Sequence, residues 1–226
     1  MGGVNLKYRL KYIKVDNLVF ISHLDILNVV QRAFRRAGMD LEHSKGFNPH
    51  PKVHFAPPLP LFTSSKGEYM DVETKEDYET NELMERLNNA LPDNLQIIKA
   101  EKLEEGSKTL GKVLDSAIYQ IKIYIRKEDN NFDDKINDFI KNSSELNITK
   151  INKKGREVTR DIKPNIFDFT CEQENNVLII NTTLSLRINE ILSPNDLLKL
   201  LRENFEEIEK ANKVKLEKKD TILFPN

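Results

Sequence analysis

The chain has 226 residues, of which 38% are apolar and 31% are charged, and its formal net charge is −1. This length allows one large domain or two small ones, each with its own core. No apolar run approaches the roughly 20 residues of a membrane span, and the first residues lack the apolar region of a secretory signal. The single cysteine, Cys171, excludes an internal disulfide and a multi-cysteine metal cluster from this chain alone. We therefore expect a cytoplasmic protein with no membrane partner.

Charge is distributed unevenly along the chain. Residues 1–55 contain nine lysines and arginines against four acids, whereas residues 56–110 contain six against twelve. The basic segment also contains all four histidines. Such a segment is compatible with an anionic partner and equally with an ordinary solvated surface.

The first half of the chain is predicted to follow the order β-α-β-β-α-β. Leu6–Tyr12 alternates apolar and basic residues, which is typical of a half-buried strand. Ser22–Ala37 has apolar residues at helical spacing, with Ser22 and Asp25 as a capping box at its start and Gly38 at the left-handed position after its end. The other predicted elements are an extended piece near 39–43, strands near 53–56 and 68–74, a helix over 80–91 and a strand near 95–102. This order is typical of the ferredoxin-like split βαβ fold.

A similar order returns in the second half. The polar stretch 105–112 contains Gly106 and Gly111 and is predicted to be a linker. The predicted elements after it are a strand over 117–125, a helix over 132–141, a hairpin over 148–162, a strand over 177–186, a helix over 194–203 and a strand over 214–218. The sequence thus predicts an α+β protein with two tandem ferredoxin-like domains, 1–104 and 113–226, each an antiparallel sheet with helices on one face.

The first strand is predicted to have one apolar and one basic face. Every second residue from Leu6 to Tyr12 is apolar and should lie beneath the helices. The intervening Lys7, Arg9 and Lys11 should then lie on an open face of the sheet, where they could bind a phosphate backbone.

All four histidines and five of the nine prolines fall between Ser22 and Pro60. Proline restricts its own backbone and that of the preceding residue, so this segment is predicted to be stiff and suited to a site. Candidate catalytic residues are His23, His50 and His54, since histidine titrates near neutral pH and could act as acid or base in RNA cleavage. A metal site on His43, His50 and His54, with Asp71 or Glu68, is an alternative, although Pro51 excludes a zinc-binding helix. Ordinary structural histidines are the third interpretation.

Two basic groups are predicted to bind nucleic acid. Arg32, Arg35 and Arg36 lie on the polar side of the first helix, where planar guanidinium groups can bind phosphates. The second group surrounds the predicted hairpin turn and consists of Lys150, Lys153, Lys154, Arg156, Arg160 and Lys163. The full set of predicted RNA-binding residues is Arg9, Arg32, Arg35, Arg36, Lys45, Asn48, His50, Lys52, Lys153, Lys154 and Arg156.

Several motifs resemble the bacterial radical-SAM-linked protein family. They are Ser22-His23-Leu24-Asp25, Phe34-Arg35-Arg36-Ala37-Gly38, Ser44-Lys45-Gly46-Phe47-Asn48-Pro49-His50-Pro51, Phe55-Ala56-Pro57-Pro58-Leu59-Pro60 and Gly67-Glu68-Tyr69-Met70-Asp71. A weaker likeness continues through Lys154-Gly155-Arg156 to Lys163-Pro164. The resemblance implies a functional link to a radical SAM enzyme and an association with ribosomal genes, without an assigned activity.

The pattern is also loosely similar to the RAMP proteins of CRISPR systems, which process RNA on paired ferredoxin-like domains. His23 occupies a place similar to that of a cleaving histidine there, but residues 211–226 contain no glycine, unlike the glycine-rich loop of those nucleases. We therefore predict a non-catalytic RNA-binding or substrate-presenting accessory protein that acts on ribosomal RNA or tRNA, has no preference for DNA and needs no cofactor. The alternatives are a metal-independent endoribonuclease that uses His23 and His50, and a protein–protein adaptor.

Overall fold

The structure is a computed structural model and describes residues 6–126, 131–152, 154–211 and 213–225. The chain has a mixed α/β fold with a large, mostly antiparallel β-sheet and helices. It divides into two compact units, Met1–Leu114 with Leu223–Asn226, and Asp115–Ile222. Within the described ranges, no helix is both long and apolar enough to cross a bilayer.

The first unit is built around a central strand. Its elements are β1 (Leu6–Lys14), α1 (His23–Arg36), β2 (Val53–Phe55), β3 (Thr63–Thr74), α2 (Thr80–Ala90), β4 (Leu95–Leu103) and the short α3 (Leu110–Val113). β1 pairs antiparallel with β3 on one side and with β4 on the other, and β2 adds to β3. Each strand and helix predicted in this half is present, although β3 begins earlier than predicted, at Thr63.

Helix α1 begins and ends where its sequence signals indicate. The Ser22 hydroxyl accepts a hydrogen bond from the Asp25 backbone N–H at 3.2 Å, which satisfies one of the unpaired donors of the first turn. At the other end Gly38 has φ +65°, and the Met39 N–H returns to the Phe34 carbonyl at 3.0 Å. Only glycine adopts this left-handed position without steric cost.

The core of the first unit lies between β1 and its two long helices. The apolar residues of β1, namely Leu6, Tyr8, Leu10 and Tyr12, are all buried, as the alternation predicts. Helix α1 buries Ile26, Val30, Ala33 and Phe34, and α2 buries Leu83 and Leu87, all in the same cluster. These side chains recur at three- and four-residue spacing, which places them on one side of each helix.

The second unit has a similar sequence of elements. They are β5 (Leu114–Tyr124), α4 (Phe132–Asn142), β6 (Asn147–Ile151), β7 (Glu157–Asp161), β8 (Ile166–Glu174), β9 (Val177–Ser185), α5 (Pro194–Asn204), the short α6 (Glu206–Glu209) and β10 (Lys213–Leu223). The strand order is β10-β5-β9-β8, while β6 and β7 form a separate two-stranded sheet. This β6–β7 pair is the predicted hairpin.

Two elements differ from the sequence-based expectation. No element was predicted for residues 163–176, whereas Ile166–Glu174 forms strand β8. Part of the predicted linker 105–112 is ordered as α3, whose Leu110 and Val113 are 3% and 0% exposed. Burial of these two side chains fixes the end of that stretch on the first unit.

Candidate functional site

The proline- and histidine-rich segment contains a protruding loop, Ser44–His50, which we call the tip loop. At its base the Ser44 N–H donates to the His50 carbonyl at 2.8 Å, and the His50 N–H donates to the Ser44 hydroxyl at 3.0 Å. One residue further out on each side, His43 and Pro51 form an isolated antiparallel bridge. The loop is therefore held at its base by hydrogen bonds, and Pro49 within it and Pro51 next to it stiffen it further.

All residues from Lys45 to His50 are exposed. Phe47 is 105% exposed relative to a reference chain, so its ring makes almost no contact with the rest of the protein. Gly46 has φ +136°, a backbone conformation that other residues rarely adopt. A large aromatic side chain held in solvent does nothing for the fold, and it is therefore a candidate ligand contact.

The four histidines do not assemble into one site. His23 lies in the first turn of α1 with its ring 5.1 Å from that of Phe55, whereas His50 belongs to the tip loop. His54 is exposed on β2, opposite Asp71 of β3. Among the described residues, no group of three or more His, Cys, Asp or Glu side chains could hold a metal ion. The histidines of the metal alternative, His43, His50 and His54, thus do not form such a group in the described chain.

A small cavity lies under the segment that follows the tip loop, and we call it the β1 cavity. It measures about 10 Å³, roughly the room needed for one water molecule. The polar residues that line it are Tyr12, Lys14, His23 and Glu68, and the others are Ile26, Ala56, Pro57 and Leu59. The cavity is too small for an RNA phosphate, so His23 is not placed to act on one there.

The polar groups around the β1 cavity are buried but hydrogen-bonded. Lys14 and Glu68 are 4% and 3% exposed. The Lys14 ammonium donates to the Ile21 carbonyl at 3.2 Å, and the Ser65 hydroxyl donates to the Glu68 carboxylate at 2.7 Å. Burial lowers the pKa of Lys14, and the charge of Glu68 partly opposes this. Burial also raises the pKa of Tyr12 well above its ordinary value, with Glu68 adding to the effect.

Arg9 is not on an open face, so that prediction is wrong. Its side chain is 3% exposed and donates two hydrogen bonds to the Asp71 carboxylate, at 2.8 and 3.0 Å. Asp71 also accepts from the Leu110 N–H at 3.1 Å, and Arg9 donates to the Lys108 carbonyl at 3.0 Å. Arg9 and Asp71 are directly opposite each other on β1 and β3. The Arg9 guanidinium therefore stabilises the fold by pairing with Asp71 and is not available to bind a phosphate.

Other predicted cations of the first unit are accessible. Arg32, Arg35 and Arg36 are exposed on α1, and Arg36 donates to the Ala90 carbonyl. Among the described residues, the guanidinium groups of Arg32 and Arg35 have no ion-pair or hydrogen-bond partner. Lys52 differs, because it pairs with Glu73 at 2.6 Å.

Comparison with known proteins identifies the family. Residues 7–194 match a family described as an uncharacterized protein conserved in bacteria (DUF2344). The chain belongs to this family. A comparison with curated proteins found no match.

Solved structures show only distant likeness to this DUF2344 protein. An unknown protein from Galdieria sulphuraria is 10% identical with a TM-score of 0.29, and the match covers 98% of this chain and 99% of that one. A DypB variant from Rhodococcus jostii RHA1 in complex with heme is 12% identical with a TM-score of 0.21, over 97% of this chain and 92% of that one. Likenesses this weak carry no conclusion about fold or ligand.

Most of the basic residues around the β6–β7 hairpin are paired within the second unit. Lys150 pairs with Asp196 at 2.7 Å, and Arg160 donates to the Ile191 carbonyl at 3.2 Å. Lys163 donates to the carbonyl groups of Lys141 and Ser143. Lys154 and Arg156 are exposed in the turn, whereas Lys153 lies outside the described residues. This group is less available to a ligand than its charge indicates.

Sequence reasoning missed an exposed aromatic pair in the first unit. Phe20 and Phe62 are 66% and 67% exposed, and their ring centres lie 5.7 Å apart. Phe62 has φ +64°, which is strained for a bulky side chain. Its N–H donates to the Val19 carbonyl at 2.8 Å, which fixes this backbone. Phe20 and Phe62 are distant in sequence, and no local pattern predicts that their rings meet.

Proposed function

We propose that this protein binds single-stranded RNA through the tip loop and presents it to a radical SAM enzyme, without catalysing a reaction itself. The observation that carries the proposal is the complete exposure of Phe47 on a loop anchored at its base. Proteins that bind single strands stack bases on exposed aromatic rings and hold the backbone with nearby cations. Lys45, Asn48 and His50 flank Phe47 and are exposed on the same loop.

The exposed arginines of α1 support a second contact to the RNA backbone. Arg32 and Arg35 present guanidinium groups that are not engaged elsewhere in the described chain. A planar guanidinium can bind a phosphate through two parallel hydrogen bonds. We therefore infer that the tip loop contacts bases and that the end of α1 contacts phosphates.

The strand orders also support the proposal that each unit is ferredoxin-like. In the first unit the order is β4-β1-β3 with β2 beside β3, and in the second it is β10-β5-β9-β8. In the first unit β1 lies between β3 and β4, and in the second unit β5 lies between β9 and β10. When the separate β6–β7 hairpin is left out, this is the strand order of a split βαβ arrangement. An experimental structure with another strand order would contradict this assignment. The link to a radical SAM enzyme and the likeness to RAMP proteins are supported only by the sequence resemblance.

RNA binding can be tested by fluorescence anisotropy with a labelled oligouridine, tRNA and ribosomal RNA fragments at low salt. Phe47→Ala should weaken binding about tenfold, because one stacked base contributes roughly that much. Phe20→Ala is the matched control, an exposed phenylalanine of the same unit, and should have no effect. The double substitution Arg32→Ala and Arg35→Ala should weaken binding and lower its salt dependence. Absence of binding at low salt, or equal binding by Phe47→Ala, would refute the proposal.

A protein–protein adaptor is the second candidate, and the Phe20–Phe62 pair favours it. Exposed aromatic rings on a strained, fixed backbone are typical of a contact with another protein. Capture of a purified radical SAM protein that resists RNase but is lost in Phe62→Ala would support an adaptor. Capture that RNase abolishes would support RNA-dependent presentation instead.

The alternative, an endoribonuclease that uses His23 and His50, can be tested by an assay of RNA cleavage. The contacts of the described residues do not join His23 to His50, since His23 packs on Phe55. Incubation with total RNA in EDTA would reveal metal-independent cleavage. Loss of such cleavage in both His23→Ala and His50→Ala would establish an enzyme and refute the non-catalytic proposal.

A further inference from the structure

A groove of about 620 Å³ runs along the edge strand β8 of the second unit. One wall is formed by α4 through Asn137, Ile140 and Lys141, and the other by β8 from Ile166 to Glu172. Lys163 lies between them. Among the described residues, β8 pairs with β9 alone, and its second edge faces the groove.

The C-terminal half of this edge is closed by side chains of α4. The Asn137 amide donates to the Cys171 carbonyl at 2.8 Å and accepts from the Cys171 N–H at 2.9 Å. Asp133 accepts from the Gln173 N–H at 3.1 Å. Asn137 thus makes the two hydrogen bonds that a neighbouring strand would make.

The N-terminal half of the same edge is open. Backbone groups of a strand alternate in direction, so Phe169 points its N–H and carbonyl to the same side as Cys171. Within the described part of the chain, no hydrogen bond on that side is formed by Phe169. A bulge between Ile166 and Asp168 interrupts the pairing with β9, and Phe167 there is 40% exposed. The edge therefore offers a free donor and a free acceptor beside exposed aromatic surface.

The side chains that border the open half are apolar and basic. Ile140 forms part of the floor on the α4 side, and Phe169 shares the face of β8 that carries the buried Cys171. The charged side chains near the open half are Lys141 and Lys163, and the Lys163 ammonium already donates to the carbonyl groups of Lys141 and Ser143. The Asp133 carboxylate lies at the closed half. Asp168 and Glu172 alternate with Phe169 and Cys171 and project from the opposite face. An occupant of the groove therefore meets positive charge on the helix side.

We propose that the open half of β8 binds an extended, acidic peptide segment of a protein partner by adding a strand to the sheet. The backbone of the peptide would bond to Phe169, its apolar side chains would contact Ile140 and Phe169, and its carboxylates would approach Lys141. Main-chain hydrogen bonds supply affinity in this mode, and the side chains supply selectivity. The site uses residues of the second unit only and is independent of the tip loop.

The test uses the full chain and a labelled heptapeptide, Glu-Thr-Val-Thr-Val-Thr-Glu, whose alternate residues place two valines and two carboxylates on one side. It should bind about tenfold more tightly than the same peptide with lysine for glutamate, since opposite charges meet in the groove. Lys141→Glu should reverse this preference. Lys135→Glu, on the same helix but outside the groove lining, is the matched control and should not. Bound peptide should also protect the Phe169 amide from hydrogen exchange, and N-methylation of the peptide backbone should abolish binding.

Three results would overturn the proposal. The first is no binding of either peptide to a correctly folded chain. The second is binding that neither N-methylation nor Lys141→Glu changes. The third is occupation by something else, either a dimer of this chain that Lys141→Glu dissociates or an oligouridine whose binding that substitution abolishes. Circular dichroism of each variant confirms that the fold is kept, which is expected because Lys141 is exposed.

Discussion

The basic residues of the first unit occupy two opposite environments. On β1, Arg9 and Lys14 are 3% and 4% exposed and bond to groups of the fold. In the tip loop, Lys45 lies in solvent beside the fully exposed Phe47. Strand pairing makes the difference, because it brings Asp71 opposite Arg9, whereas the tip loop has no such neighbour. The charge of a segment therefore does not tell which cations a ligand can reach.

The largest effect is expected from breaking the buried pair on β1. Asp71→Ala leaves the Arg9 guanidinium buried without its partner and should lower the free energy of unfolding by about 3–5 kcal/mol. Asp40→Ala removes a carboxylate paired with Lys75 that is 77% exposed, and should cost less than about 1 kcal/mol. Urea unfolding at pH 7 measures both.

A double substitution separates the charge from the packing. Arg9→Met with Asp71→Leu removes both charges and should recover most of the lost stability, because a buried ion pair contributes little net free energy over apolar side chains of similar size. If Asp71→Ala lowers the free energy of unfolding no more than Asp40→Ala does, Arg9 is not buried in solution. The contrast between β1 and the tip loop would then be refuted.

Lys14 offers a smaller, pH-dependent test of the buried environment. Burial lowers its pKa in the folded protein, so the unfolded chain binds more protons just below the ordinary value of 10.5. Stability should therefore rise with pH as that value is approached from below. Lys14→Met should remove this rise in stability with pH. Measurements should stay below pH 10, where Tyr12, whose pKa is raised, begins to act in the opposite direction.

Lys99→Met on β4 is the control for Lys14, since that side chain is exposed. It should leave the pH dependence of stability unchanged. An identical pH profile for Lys14→Met and the parent protein would mean that Lys14 keeps an ordinary pKa, and hence that water reaches it.

Local sequence signals predicted most helices and strands, whereas the pairing of strands determined which charged side chains are buried. Ser22 and Gly38 act on their immediate neighbours, so the limits of α1 were predictable. The alternation of β1 likewise predicted its buried residues. The burial of Arg9 depends on Asp71, which is distant in sequence, and no local pattern reports that pairing. β8 was not predicted, although Phe167, Phe169 and Cys171 alternate with polar residues, which is the same local signal that identified β1.

The tip loop likewise has one property that the sequence predicts and one that it does not. Prolines predicted a stiff loop, and the hydrogen bonds between Ser44 and His50 agree with that expectation. The exposure of Phe47 was not predictable, because an isolated phenylalanine is more often buried. Only the position of the loop beyond β2 and β3 shows that its ring has nothing to pack against.

The smallest effect on stability is expected at the tip loop. Phe47→Ala removes a ring that makes almost no contact, so its free energy of unfolding should change by less than about 0.5 kcal/mol. Phe34→Ala is the matched buried substitution at 1% exposure and should cost about 3–5 kcal/mol. A ring that can be deleted without loss of stability, yet is needed for RNA binding, serves the ligand and not the fold. Loss of stability in Phe47→Ala would instead show that the ring packs on the protein in solution, and the tip loop would then resemble β1.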